Sequence, residues 1–189
     1  MNFAEYNVKD ANLEEVLLAL KSLDTVEAVA LGGSRSTGAS DENSDYDIYV
    51  YCAEIPTAET RENLLGKYCS IAEFGNHYWE SEDNTVMNNG IPVDIIYREV
   101  DRFGRYIDTA IKGGKAFNGY TTAFWHNIKN SKVLFDKTGT FTKFRDMAQI
   151  DFPENLRSAI IKNNRILLNG KPPSYDRQIK KAQERSDIV

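Results

Sequence analysis

The sequence predicts an α/β (α+β) fold, a mixed sheet of about four or five strands flanked by helices, with a helical C-terminal portion. Three observations carry this. Val26–Leu31 is almost continuously apolar, the mark of a central strand covered on both faces. Asn88-Asn89-Gly90 lies between two strand-like runs, and Asn and Gly tolerate the backbone conformations a hairpin turn demands. Stretches of helical period lie on both sides of these strands, and beyond Pro153 only helical patterns remain.

Taken in order, residues 12–23 place Leu13, Val16, Leu17 and Leu20 on one helical face, with Asn12 as cap and Glu15 three residues on. The strand at Val26–Leu31 runs into Gly32-Gly33-Ser34, a turn with a short helical start to Ala39. Residues 40–44 loop back, and a second strand opens with Asp45-Tyr46-Asp47. Pro56 and Thr57 introduce a helix to about Tyr68, with Leu64, Leu65 and Tyr68 as its buried side. His77–Met87 reads as a strand at an edge or rim because of Glu80, Glu82 and Asp83, and Ile91–Tyr97 returns from the Asn88-Asn89-Gly90 turn. Residues 99–112 form a helix closed by Gly113-Gly114. Thr121–Asn130 is another, followed by the short apolar segment Val133–Phe135 and a helix near Phe141–Ala148. Residues 153–168 carry Leu156, Ile160, Ile161, Ile166 and Leu167 at roughly helical spacing, ended by Asn169-Gly170 and Pro172-Pro173. Residues 174–188 favour a helix but are charged and poorly amphipathic. They read as the start of a larger helical region.

The composition narrows the class. At 189 residues, 41% hydrophobic and 27% charged, the chain suits one domain with a proper core, or one plus a small appendage. No apolar run approaches a membrane span, and the N-terminus lacks a signal-peptide pattern, so a cytoplasmic protein without membrane contact is expected. Cys52 and Cys69 show no CxxC spacing and are read as reduced thiols, with a disulfide between them as the alternative. A net charge of −5 argues against a long nucleic-acid partner, whose phosphates call for a basic surface. His77 and His126 lie far apart with no cysteine at zinc spacing, so no zinc site is expected, and His126, among Phe124, Trp125 and Ile128, reads as a hydrogen-bonded core histidine.

The chemistry concentrates between Gly32 and Asp47. Alternation on a strand puts Asp45 and Asp47 on one face, where two adjacent carboxylates repel unless a cation sits between them. Hard oxygen ligands beside a phosphate suit Mg²⁺ (or Mn²⁺). Gly32 and Gly33 leave room for an anion at the main chain, and Ser34 adds a hydroxyl donor. A phosphate cradle and a metal-binding pair so close together point to a nucleoside triphosphate. The plainer alternatives are a solvated strand end for the Asp pair and a bare turn with a helix cap for Gly33-Ser34. Arg35 either reaches a phosphate or points to solvent, and Lys115, after two glycines, is a weaker candidate of the same kind.

Gly33-Ser34, ten intervening residues and Asp45-Tyr46-Asp47 resemble the signature of the polymerase-β-like nucleotidyltransferases, and the chain is similar to their small bacterial, aminoglycoside-nucleotidyltransferase-type minimal domains. Residues 119–127 and Val133-Leu-Phe-Asp136 resemble a bacterial branch of the same enzymes. The core resemblance covers roughly residues 12–98. It implies a third carboxylate on a later strand, and Asp94, in Ile91-Pro-Val-Asp-Ile-Ile-Tyr97, is similar to it; otherwise Asp94 is a structural carboxylate paired with Arg98 or Arg102.

The resemblance further implies a catalytic domain over 1–150 and a helical segment over 151–189. The implied activity is two-metal transfer of a nucleoside monophosphate from an NTP, ATP foremost, to a hydroxyl of a small-molecule or protein acceptor. Asp45, Asp47 and Asp94 would be the catalytic and metal-binding residues, and Gly32, Gly33 and Ser34 would hold the phosphates. A helical domain or second subunit would complete the acceptor pocket. A non-catalytic nucleotide-binding or antitoxin-like module on the same fold is the alternative.

Overall fold

The computed structural model describes residues 10–41, 44–78, 80–117, 121–168 and 175–185. The chain runs α1 (Ala11–Lys21), β1 (Val26–Leu31), α2 (Gly33–Thr37), β2 (Tyr46–Cys52), α3 (Ala58–Leu65), β3 (Cys69–Asn76), β4 (Ser81–Met87), β5 (Pro92–Glu99), α4 (Val100–Ile111), α5 (Thr121–Asn130), β6 (Lys132–Asp136), α6 (Thr140–Ala148), α7 (Glu154–Leu167) and α8 (Tyr175–Glu184). Among the described residues the strands make one mixed six-stranded sheet, ordered β3-β4-β5-β2-β1-β6. Only β2 and β5 pair in parallel, and that pair occupies the middle of the sheet.

Two compact units divide the chain, one of residues 1–105 and 126–149, the other of 106–125 and 150–189. In the first, α1 lays Leu13, Val16, Leu17 and Leu20 onto Val29, Leu31, Ile48, Val50 and Ile95, all buried. Each such apolar side chain contributes about 1.5–3 kcal/mol relative to leaving it in water. On the opposite sheet face Tyr51 packs against Phe103, Phe141 and Phe144 at ring-centroid distances of 5.4, 5.3 and 5.9 Å. The second unit holds Tyr106 against Phe117 and Phe124, and Trp125 against Phe152, at 4.5, 4.8 and 5.0 Å.

Several elements differ from the sequence reading in instructive ways. The sheet has a strand more than expected because β3, with Ser70, Glu73, Gly75 and Asn76, shows little apolar pattern and takes its place as a mostly exposed edge. The strand expected from His77 starts at Ser81. Asp10, not Asn12, caps α1, accepting from the N–H groups of Asn12 and Leu13 at 3.0 and 3.3 Å. His126 is exposed rather than in the core, its Nδ1 3.2 Å from the Asn130 side-chain nitrogen. The turn at Asn88-Asn89-Gly90 joins antiparallel β4 and β5, with Gly90 at φ +84°. The breaks expected at Asn169-Gly170 and Pro172-Pro173, and the start of the 119–127 stretch, lie outside the described residues.

Candidate active site

The parallel pairing of β2 with β5 places Asp47 directly opposite Asp94. Alternation sends Ile48 and Val50 into the core beneath α1, which leaves Asp47, Tyr49 and Tyr51 on the other face. Asp45 lies one residue before β2, outside the ladder. It nevertheless acts on the same site electrostatically. The Asp47 carboxyl is pushed up to about 6, first by burial, then by the charge of Asp45 and then by that of Asp94. Of the three carboxylates predicted from sequence, Asp47 and Asp94 face each other across the ladder, and Asp45 acts on Asp47 from just before the strand.

The glycine turn is built against this carboxylate. Gly33 has φ +60°, and a Cβ there would run into the Asp47 side chain, whose Cγ lies 2.7 Å from where that atom would sit. Gly32 has a different task from the one expected. Its N–H donates to the Asp47 carbonyl at 2.8 Å, so it is not offered to an anion, and a Cβ would press on the Tyr49 ring. The first turn of α2 begins at Gly33 and Ser34 and opens without a side-chain cap.

Arg35 neither points to solvent nor reaches outward for phosphate. Its guanidinium stacks over Tyr46 at 4.1 Å, and Nε donates to the Ser44 and Asp45 carbonyls at 3.0 and 2.9 Å. A second donor, Nη2, also meets Ser44 O. Arg35 therefore fixes the loop that presents Asp45. Lys132 on β6 steadies the same turn, its Nζ donating to the Arg35 carbonyl at 3.2 Å. Nothing in the spacing of these residues marks them, since they act through main-chain atoms.

Asp94 receives a hydrogen bond from Asn84 Nδ2 on β4 at 2.9 Å. Arg98, the structural partner considered for it, is instead held by Glu80, with Nε and Nη2 donating at 2.9 and 2.8 Å, and its Nη1 donates to the Tyr51 hydroxyl at 3.2 Å. The acidic run expected to form a wet rim splits three ways. Glu80 clamps Arg98, and Glu82 stays half-buried with its carboxyl pushed up by burial and by Asp94. Asp83, on the reverse face, is fully buried against Arg61 at 3.2 Å.

Among the described residues no group of three or more His, Cys, Asp or Glu converges tightly enough to form a metal cage. The donors still fit a divalent cation of the Mg²⁺ type. They are hard oxygens, with Asp47 pushed up by burial and then by its carboxylate neighbours, and Mg²⁺ needs only one or two carboxylates when phosphate oxygens and water complete its shell. Cys52 and Cys69 are unpaired. Lys115 packs over Phe117 at 5.6 Å. No helix of the described residues is long and apolar enough to cross a membrane.

A family model described as a nucleotidyltransferase domain matches residues 13–117. No curated protein matches the chain. Among solved structures, a toxin–antitoxin with AMP-PNP is similar at 15% identity and a TM-score of 0.41, covering 92% of this chain and 94% of that one. Cid1 in complex with the UTP analog UMPNPP is similar at 16% identity and a TM-score of 0.35, over 57% of this chain and 38% of that one. A STING-associated CdnE c-di-GMP synthase from Capnocytophaga granulosa is similar at 15% identity and a TM-score of 0.34, over 78% and 50%.

Proposed function

We propose that this chain, which belongs to the nucleotidyltransferase domain family, moves a nucleoside monophosphate from a nucleoside triphosphate, ATP foremost, to a hydroxyl of a small-molecule or protein acceptor in the cytoplasm, releasing pyrophosphate. The observation that supports it most is the Asp47–Asp94 register pair with the Gly33-Ser34 turn packed against the Asp47 carboxylate. In-line attack on the α-phosphorus asks little covalent chemistry of a protein, so positioning and charge neutralisation carry the rate.

In this reading the amides of Gly33 and Ser34 and the Ser34 hydroxyl hold the β- and γ-phosphates, and Gly32 shapes the turn. Asp45, Asp47 and Asp94 hold Mg²⁺ or Mn²⁺, which when bound neutralises the triphosphate and makes the acceptor hydroxyl more acidic. Asp94, on the strand paired with β2, orients that hydroxyl or accepts its proton in this reading, which its register opposite Asp47 supports. Residues 1–150 serve as the catalytic domain and 151–189 as a helical segment, and a further helical domain or second subunit completes the acceptor pocket.

Calorimetry with ATP should show binding that depends on Mg²⁺; equal affinity with and without the metal would refute the reading. Mass spectrometry after incubation with ATP and cell lysate should find a nucleotide mass on a metabolite or a protein. Asp94→Asn should abolish that transfer without lowering the metal-free melting temperature. Arg98 already has Glu80, so losing the Asp94 charge strands no cation.

A further inference from the structure

A line of polar side chains crosses three strands and ends on Asp94. The Tyr78 N–H donates to Asn76 Oδ1, Asn76 Nδ2 donates to Asn84 Oδ1, and Asn84 Nδ2 donates to Asp94 Oδ1, each at 2.9 Å. Its first member fixes the sense of all the others. A backbone N–H can only donate, so Asn76 must turn its oxygen toward Tyr78 and its NH₂ toward Asn84. Asn84 must then accept with its oxygen, and its own NH₂ is left facing Asp94. An isolated asparagine can flip its amide at little cost; this one is held to a single orientation by a group that cannot flip.

The backbone explains how Asn76 comes to take part. The β3–β4 pairing slips out of register between Glu73 and Asn76, and Gly75 in that interval has φ +84°. Such an irregularity re-aims a strand's side chains, here bringing Asn76 onto the residue opposite Asp94. Asn84 and Asp94 face each other directly across β4 and β5.

We infer that Asn84 and Asn76 are positioning residues for the proposed nucleotidyl transfer: Asn84 holds one oxygen of Asp94, and Asn76 holds Asn84 with its donor toward that carboxylate. This rests on the reading of Asp94 as the third carboxylate. A donor locked onto Oδ1 fixes the plane of the carboxylate and satisfies one oxygen, so the other is presented to the reaction in one direction. The edge strand β3 and the turn after it thereby belong to the working site. They are not merely sheet cover.

The test has two arms, so that failure of the transfer reaction and failure of the relay are told apart. In the free protein, NMR should show Asn84 side-chain amide protons in slow exchange with solvent, and Asn76→Ala should abolish that protection. In the transfer assay Asn84→Ala should lower kcat by roughly tenfold to a hundredfold, the range for losing a hydrogen bond to a charged group, with KM for ATP little changed. Asn76→Ala should lower kcat less, and should add nothing once Asn84 is already alanine. Melting curves of each variant check that the fold is retained, and Asn84→Asp, near in shape but unable to donate, should lose the Asp94 contact as well. Should the wild type transfer nothing, the amide-exchange arm decides alone. Additive kcat losses, or an Asn84 amide equally protected in Asn76→Ala, would overturn the relay.

Discussion

Asp47→Asn offers the most direct measurement of what burial and charge crowding together cost in this site. The wild-type carboxyl moves from 3.8 to about 6 on folding. At about 1.36 kcal/mol per unit this is nominally about 3 kcal/mol of native-state cost once the group is ionised. Because the carboxylate is partly open to solvent, screening reduces the figure to about 1–2 kcal/mol. The folded pKa lies above the unfolded one, so the native state binds the proton more tightly. The associated stability is fully present below about pH 4 and is lost as the pH rises through about 6. Asparagine keeps the shape and removes the charge.

In EDTA, Asp47→Asn should therefore melt about 2–6 °C above wild type at about pH 8, and the gap should close near pH 4. Adding Mg²⁺ and ATP should reverse the order, because only wild type gains binding energy in the folded state. Thermal melting followed by circular dichroism across that pH range supplies both comparisons. A variant that melts below wild type in EDTA at about pH 8, or a gap that does not change with pH, would refute the argument.

Gly33→Ala should destabilise the fold by about 2–3 kcal/mol and abolish ATP binding in calorimetry. Its φ of +60° strains any side chain, and the added methyl displaces the Asp47 carboxylate. Arg61→Met should cost about 3–5 kcal/mol in urea unfolding by leaving buried Asp83 without its cation. The double variant Arg61→Met/Asp83→Asn should recover most of that, since asparagine can still accept from the Gly75 N–H, now 2.9 Å from Asp83 Oδ1.

The parts of the site that the sequence made legible are those with a strong local signature. The apolar run of β1, the glycine pair and the alternating Asp45-Tyr46-Asp47 each follow from period and backbone freedom; β1 and α2 lie where that reading put them, and β2 opens at Tyr46, one residue later than read. The Asn88-Asn89-Gly90 turn likewise set β4 against β5, which carries Asp94. What stayed hidden depends on long-range partners. Arg35 works through the carbonyls of Ser44 and Asp45, which have no side-chain signature. Asn76 and Asn84 are ordinary strand residues until a register slip joins them. Glu80 and Asp83 sit three positions apart in one acidic run, yet they go to opposite faces, each to its own arginine. Period-two alternation predicts that they separate, but it does not say that a buried guanidinium waits on either side.

The parallel pairing of β2 and β5 also bears on when the site comes into being. Asp47 and Asp94 are 47 positions apart in the chain, and parallel neighbours cannot be joined by a tight hairpin. The helix α3 and the antiparallel strands β3 and β4 intervene, so the loop-closure entropy must be met before the two strands zip. Local helices and the β3-β4-β5 hairpins form with less sequence separation, and contacts of that kind are made early. The carboxylates therefore meet only when the β3-β4-β5 and β2-β1-β6 halves of the sheet join. A ribosome must release the chain well past Asp94 before the two carboxylates can face each other.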